Sequence, residues 1–335
     1  MQPAIYGLEG DALTADERDF FRDADPAGYI VFKRNCTGRE QLRALTDSLR
    51  AIHGRPDLPI LIDQEGGRVA RMKPPVWPEF PRAERFDALY QVAPVSAIEA
   101  ARANAHAIAL VLREVGINVD CLPLLDVRQA GADNIIGDRA LGSEPMQVAA
   151  LGRAVIEGLR EGGVVGVVKH MPGHGRAMVD SHVELPIVTA SAEELEHDLE
   201  PFRRLNGAPM GITAHVVYTA WDSDRAASLS PVVIGDIIRD RIGFDGWLMT
   251  DDLGMQALTG SFGERARAAV DAGCDVALHC SGNMAEMVSI ASALGEISAE
   301  SLARRARAME TIHSEVSPLA YEDLAARRDA LLSHA

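Results

Sequence analysis

His170, His174 and His182 fall close together with Asp180, in the run Lys169-His170-Met171-Pro172-Gly173-His174 through Asp180-Ser181-His182. Imidazole and carboxylate in company suit two chemistries: ligation of zinc or iron, or proton transfer at a bond being broken. Helical spacing does not favour the first. Pro172, Gly173 and Gly175 interrupt any helix that would put His170 and His174 one turn apart. Proton transfer needs one imidazole within reach, and Asp180, two positions before His182, could fix that ring's tautomer and raise its basicity. A second reactive group is Asp251, which closes the apolar run Trp247-Leu248-Met249-Thr250. Cations such as Lys169 or Arg139 nearby would keep it ionised, as a nucleophile or a stabiliser of developing positive charge, while Asp252 caps the segment that follows.

These residues share a position: each follows an apolar run. The run at 59–63 passes into Asp63-Gln64-Glu65-Gly66-Gly67-Arg68 with Arg71 beyond. The one at 118–124 is followed by Asp126 and later Arg139. Others end at Lys169-His170, His215 and Asp251-Asp252. In an α/β barrel the active site forms at the carboxyl ends of the strands. A recurrence of Asp, Lys, His and Arg there, rather than of Ser and Asn, points to a site rather than to turns.

Eight such runs are expected as strands: 4–8, 28–32, 59–63, 118–124, 164–169, 211–216, 246–251 and 275–280. Each is short and rich in Val, Ile or Leu, as strands buried on both faces are. Helical patterns intervene at 96–115, 145–161, 192–205, 231–241 and 264–272, with Pro145 and Pro231 suited to first helical positions and Gly116, Gly162, Gly243 and Gly273 to helix ends. The expected fold is α/β: a (β/α)₈ TIM-type barrel forming a single domain over 1–335, with two helices in 299–335 packing on its outside. An open doubly wound sheet would give a similar pattern, but no Gly-x-Gly-x-x-Gly follows a strand. The proline-rich stretch 72–81, with Trp77 and Phe80, is expected as a rigid loop over one barrel mouth, either an aromatic wall of a cleft or plain surface.

The 335 residues are 47% apolar and 24% charged, enough for a large core, and a barrel of this kind takes roughly 250 residues or more. A net charge of −16 without a Lys/Arg cluster argues against nucleic acid. The amino terminus has no basic region followed by an apolar stretch, and no run is long enough to span a bilayer, so a cytoplasmic location without membrane association is expected. Cys36, Cys121, Cys274 and Cys280 are scattered in apolar runs and are expected as reduced core thiols.

Taken together, Lys169-His170-Met171-Pro172-Gly173-His174-Gly175 with Asp180-Ser181-His182, Asp63-Gln64-Glu65-Gly66-Gly67-Arg68-Val69 upstream and Thr250-Asp251-Asp252-Leu253-Gly254-Met255 downstream resemble family 3 glycoside hydrolases. Within them the similarity is to the bacterial β-N-acetylhexosaminidases of peptidoglycan recycling, in order from about 28 to 280. The resemblance implies a retaining exo-β-N-acetylglucosaminidase that releases terminal GlcNAc from muropeptides carrying 1,6-anhydro-MurNAc, as a monomer or weak dimer, with no metal and no cofactor. It implies Asp251 as nucleophile, His182 as acid/base assisted by Asp180, and Asp63, Arg71, Arg139, Lys169, His170 and His215 as substrate-binding residues. Met171, Ala140-Leu141-Gly142 and Gly254 depart from the family's usual Phe, Ser-Phe-Gly and Ser. A β-N-acetylglucosaminide phosphorylase would use the same nucleophile, and a metal-dependent hydrolase would use the histidines differently.

Overall fold

Strand β1 (Gln2–Tyr6) pairs in parallel with both β2 (Pro26–Val31) and β8 (Val276–His279), and that second pairing closes a barrel. Between them run β3 (Ile60–Ile62), β4 (Val119–Asp120), β5 (Val165–Met171), β6 (Met210–Thr213) and β7 (Trp247–Asp252), adjacent in chain order and all parallel. This computed structural model describes residues 1–132, 135–179, 184–313 and 318–334.

Successive strand side chains point to opposite faces. Ile5, Ile30, Leu61, Val119, Val167, Ile212 and Met249 fill the barrel. Their neighbours Tyr6, Tyr29, Ile60, Ile62, Val168 and Leu248 pack under the helices. Both faces are apolar, so the strands read as runs rather than alternations. All eight expected runs form strands. The one at 118–124 pairs regularly only over Val119–Asp120, because Pro123 has no N–H for the ladder, and pairing resumes at a Leu124–Lys169 bridge.

The surrounding helices are α1 (Ala15–Ala24), α2 (Arg39–His53), α3 (Glu84–Val92), α4 (Pro94–Glu114), α5 (Pro145–Glu161), α6 (Ala192–Arg204), α7 (Phe262–Asp271) and α8 (Met284–Ala293). Local sequence starts them. Thr14, Ser191 and Ser261 cap α1, α6 and α7 in reciprocal boxes with Glu17, Glu194 and Glu264, and proline opens α4 and α5. The helix expected at 231–241 is wound as a π-helix over Val233–Arg241.

Two further helices follow, α9 (Ala299–Met309) and α10 (Tyr321–Leu332). The first closes the amino-terminal end of the barrel: Ala308 and Met309 join the interior cluster, and the Trp247 indole N–H donates to Ser301 Oγ at 3.1 Å. The second lies on α4, where Arg328 donates to Asn104. By length and composition α4 could cross a membrane, but 67% of its apolar window is buried inside this structure. Trp77 and Phe80 of the proline-rich loop are buried on this side, Phe80 edge-on to Tyr321, and contribute nothing to the cavity at the strand ends.

Candidate active site

With one barrel end closed by α9, the carboxyl ends of the strands are left to carry a cavity of about 230 Å³. Ile30, Cys121, Ile212 and Leu278 form an apolar floor continuous with the barrel interior. Asp63, Arg71, Arg139, Lys169, His170, His174, Asp251 and Asp252 make the wall polar. Sugars want this combination, since hydroxyl groups need fixed donors and acceptors while ring carbons need apolar surface.

Asp63 lies just past β3. A small hairpin, Gln64–Gly66 with Val69–Ala70, then turns Arg71 back over the same strand end. Gln64 clamps that return: its Oε1 accepts from the N–H groups of Arg71 and Met72, both at 3.0 Å, and its amide donates to Met72 O at 2.9 Å. Gly66 sits in the turn at φ +99°, where a Cβ would meet Pro81 O at 2.3 Å. Arg71 lies over the Phe32 ring, 5.0 Å from its centroid, and its Nη2 donates to Asp63 Oδ2 at 2.8 Å.

From Asp63 an alternating line of charge crosses the site. Lys169 Nζ at the end of β5 donates to Asp63 Oδ1 at 3.0 Å and lies 2.7 Å from Glu65 Oε1. Glu65 in turn takes Arg139 through two parallel bonds of 2.8 Å. Burial alone would raise the Asp63 and Glu65 carboxyls, but the cations outweigh it. Lys169 and Arg71 hold Asp63 well below the usual range, and Lys169 and Arg139 hold Glu65 at about 2. Burial opposes the Lys169 charge, yet Glu65 and Asp63 keep its pKa above the ordinary value. All five groups are therefore ionised near neutrality.

Asp126, fully buried beyond β4, organises the next segment. Its Oδ1 accepts from the backbone N–H of His170 at 3.2 Å and of His174 at 2.6 Å, and its Oδ2 from His170 Nδ1 at 2.8 Å. Burial pushes this carboxyl up, but the His170 imidazole brings it down to about 2. Burial and the neighbouring His170 push His174 down to about 4, so it is neutral at pH 7. The glycines beside His174 suggest a movable loop in the sequence. In the folded chain Gly175 also serves close approach: a Cβ there would lie 1.9 Å from Val127 O, and His174 beside it is 3% exposed.

Asp251 lines the cavity near the end of β7, its Oδ1 accepting from the Asp252 N–H at 2.8 Å. Asp252 has a separate task, its Oδ1 taking the N–H groups of Gly254 and Cys280 at 3.0 Å each. His215 stands apart from the other expected substrate contacts. It has no exposed surface and does not line the cavity; its Nε2 donates to Asp252 O at 3.0 Å and its Nδ1 accepts from Ser228 Oγ at 2.6 Å. Ser228 and the carbonyl thus satisfy both ring nitrogens, and neither is left for a sugar hydroxyl.

Asp63, Arg71, Arg139, Lys169, His170 and Asp251 therefore meet in one cavity. Asp180 and His182 lie outside the described residues. Glu65 and Asp126 were visible in the sequence as polar residues after strands, but nothing there paired them with Arg139 and His170. Phe32 and Cys280, last residues of their apolar runs, also line the cavity. All four cysteines are unpaired, and Cys280 is a cavity thiol rather than a core one. Among the described residues no group of three or more His, Cys, Asp or Glu is placed to hold a metal ion.

Residues 6–312 match the glycosyl hydrolase family 3 N terminal domain. Curated relatives include the β-hexosaminidases of Alkalilimnicola ehrlichii, 41% identical over 83% of this chain and 80% of that protein, and of Methylococcus capsulatus, 39% identical over 82% of each. Among solved structures, native NagZ from Neisseria gonorrhoeae superposes with a TM-score of 0.88 at 30% identity, covering 99% of this chain and 98% of that one. A family 3 β-N-acetylglucosaminidase from Paenibacillus sp. superposes at 0.86, with 30% identity over 98% of this chain and 66% of that one. The barrel, the charged cavity at its carboxyl end and these relatives agree: this chain belongs to glycosyl hydrolase family 3, as a glycoside hydrolase of the β-N-acetylhexosaminidase type.

Proposed function

We propose that the enzyme is a retaining exo-β-N-acetylglucosaminidase that removes terminal GlcNAc from 1,6-anhydro-MurNAc muropeptides in the cytoplasm, as part of cell-wall recycling. The observation that carries this reading is the placement of Asp251 in one cavity with the array Arg71, Asp63, Lys169 and Arg139. A cavity of about 230 Å³ with one closed end suits a single terminal sugar.

In this reading the cations and Asp63 hold the sugar with its anomeric carbon over Asp251. An Asp251 oxygen forms a bond to C1 as the glycosidic C1–O bond breaks, and His182 gives its proton to the departing oxygen. His182, neutral once that proton has left and oriented by Asp180, then takes a proton from water. The water oxygen bonds to C1 as the C1–O bond to Asp251 breaks, which frees the Asp251 carboxylate and releases GlcNAc with its original anomeric configuration. Most retaining enzymes place a second carboxyl group about 5 Å from the nucleophile. An imidazole in its stead, neutral in its basic form, avoids repulsion with Asp251.

Intact-protein mass after incubation with an activated fluorosugar tests the reading: one glycosyl adduct mapping to Asp251 is expected, and no adduct, or one elsewhere, overturns it. Turnover of para-nitrophenyl GlcNAc with and without phosphate separates hydrolysis from transfer to phosphate. Hydrolysis gives free GlcNAc in both, whereas GlcNAc-1-phosphate marks a phosphorylase. One similar structure is NagZ from Neisseria gonorrhoeae in complex with zinc ion. If chelator abolishes turnover of this enzyme and zinc restores it, the metal-independent mechanism fails.

A further inference from the structure

Glu65 does not line the sugar cavity, yet it is the group that the two deepest cations of that cavity share. We infer that Glu65 is a positioning residue: its carboxylate aims the Arg139 and Lys169 donors at the substrate and allows two positive charges to stand side by side in a buried wall. This rests on the reading of Arg139 and Lys169 as sugar contacts.

The geometry makes the case. Arg139 is held as a rigid fork, Nε to Oε2 and Nη2 to Oε1, both at 2.8 Å, while its Nη1 donates to Ile135 O at 3.0 Å. Three of its five N–H groups are thereby used, and the plane of the fork sets where the other two point. Lys169 has three donors, with Glu65 Oε1 at 2.7 Å and Asp63 Oδ1 at 3.0 Å. One N–H is left, in a direction that the first two determine. The side chains of Lys169, Glu65 and Arg139 are 3%, 5% and 11% exposed, so water screens little of this. Without Glu65, Lys169 would keep Asp63, whereas Arg139 would keep only the Ile135 carbonyl among the described residues.

Glu65 also borders a smaller void with Gly66, Arg82 and Leu141, separated from the sugar cavity by Arg68 and Arg139, which line both. Its carboxylate is not among the groups that line the cavity. Its influence must pass through the cations, which predicts weaker ground-state binding before any loss of chemistry.

The test compares wild type with Glu65→Gln, Glu65→Ala and Lys169→Met, measuring kcat and KM for para-nitrophenyl GlcNAc, the inhibition constant of GlcNAc, and thermal stability. Glutamine keeps the shape and removes the charge; its inhibition constant should rise roughly tenfold or more, with kcat falling by a smaller factor. Alanine should do the same and be partly rescued by millimolar formate, a carboxylate small enough for the vacated space, while Lys169→Met should gain nothing from formate. Wild-type affinity in Glu65→Gln, or a loss confined to kcat, overturns the proposal. So does a failure of both Glu65 variants to fold, which would make the residue structural. Wild-type GlcNAc affinity in Lys169→Met overturns instead the assignment of the sugar contacts on which the proposal rests.

Discussion

Asp126 Oδ2 accepts the Nδ1 proton of His170 at 2.8 Å, and this one bond decides which nitrogen His170 offers the cavity. A carboxylate can only accept, so Nδ1 carries the proton, and Nε2 is the nitrogen left for the substrate contact proposed above. The other Asp126 oxygen binds the backbone at positions 170 and 174, so the same group orients the ring and anchors the loop behind it. Asp126→Asn keeps the size but presents an amide. It should lower kcat/KM roughly tenfold or more, because an amide can donate as well as accept and no longer fixes the His170 tautomer. Steady-state kinetics with para-nitrophenyl GlcNAc checks this; an unchanged kcat/KM would show that the His170 tautomer does not matter.

Lys169 and His182 should separate binding from chemistry. Lys169 sits on a strand end with two carboxylates, which hold it in place for the sugar contact proposed above. Lys169→Met is therefore expected to raise KM more than it lowers kcat, and His182→Asn the reverse. The opposite weighting in either variant would exchange their assignments.

Asp251→Asn should lower kcat by roughly three orders of magnitude or more while leaving the fold intact, because the amide cannot form the glycosyl ester. Asp252→Asn should be much milder in kcat, since an amide oxygen can still accept from Gly254 and Cys280. Comparable losses in both would place the nucleophile elsewhere.

His215 is expected to matter through Asp252. His215→Phe removes one of two bonds to the Asp252 carbonyl, which keeps the Met255 N–H at 3.1 Å, and leaves the Ser228 hydroxyl unpaired in a buried place. The penalty should be about 1–3 kcal/mol of stability for that stranded hydroxyl, with kcat reduced more than KM. Denaturant melts combined with kinetics read both, and a pure KM effect would return His215 to the substrate contacts.

Asp120 supplies a pH dependence of stability. Burial raises its carboxyl to about 8, against an ordinary value of 3.8, and its Oδ2 has no partner among the described residues. Between those two values the folded chain holds a proton that the unfolded chain has released. Stability from this group is thus complete below pH ~4, declines through the window and is gone above pH ~8. Asp120→Asn cannot ionise and keeps an oxygen for the Gln64 N–H that Asp120 Oδ1 accepts at 3.0 Å. Its melting temperature should match wild type near pH 4 and exceed it by several degrees at pH 9. A constant difference across that range would mean that Asp120 is ionised in the folded protein.

How much was legible beforehand follows from what each feature depends on. The eight strands were readable because a barrel strand is buried on both faces, and such a segment must be an unbroken apolar run wherever it lies in the chain. The residues after those runs were readable as a site, because a barrel gathers its strand ends in one place. Sequence order could not say that Glu65 rather than Asp63 would take Arg139, or that Asp126 would reach His170, since those partners lie 74 and 44 positions apart and meet only when neighbouring strand ends are set side by side. The family resemblance implied a sugar contact at His215, where the tertiary structure engages both ring nitrogens with Ser228 and the Asp252 carbonyl. Local pattern thus determines which residues reach the barrel mouth; packing between strands decides which of them face the cavity and which brace those that do.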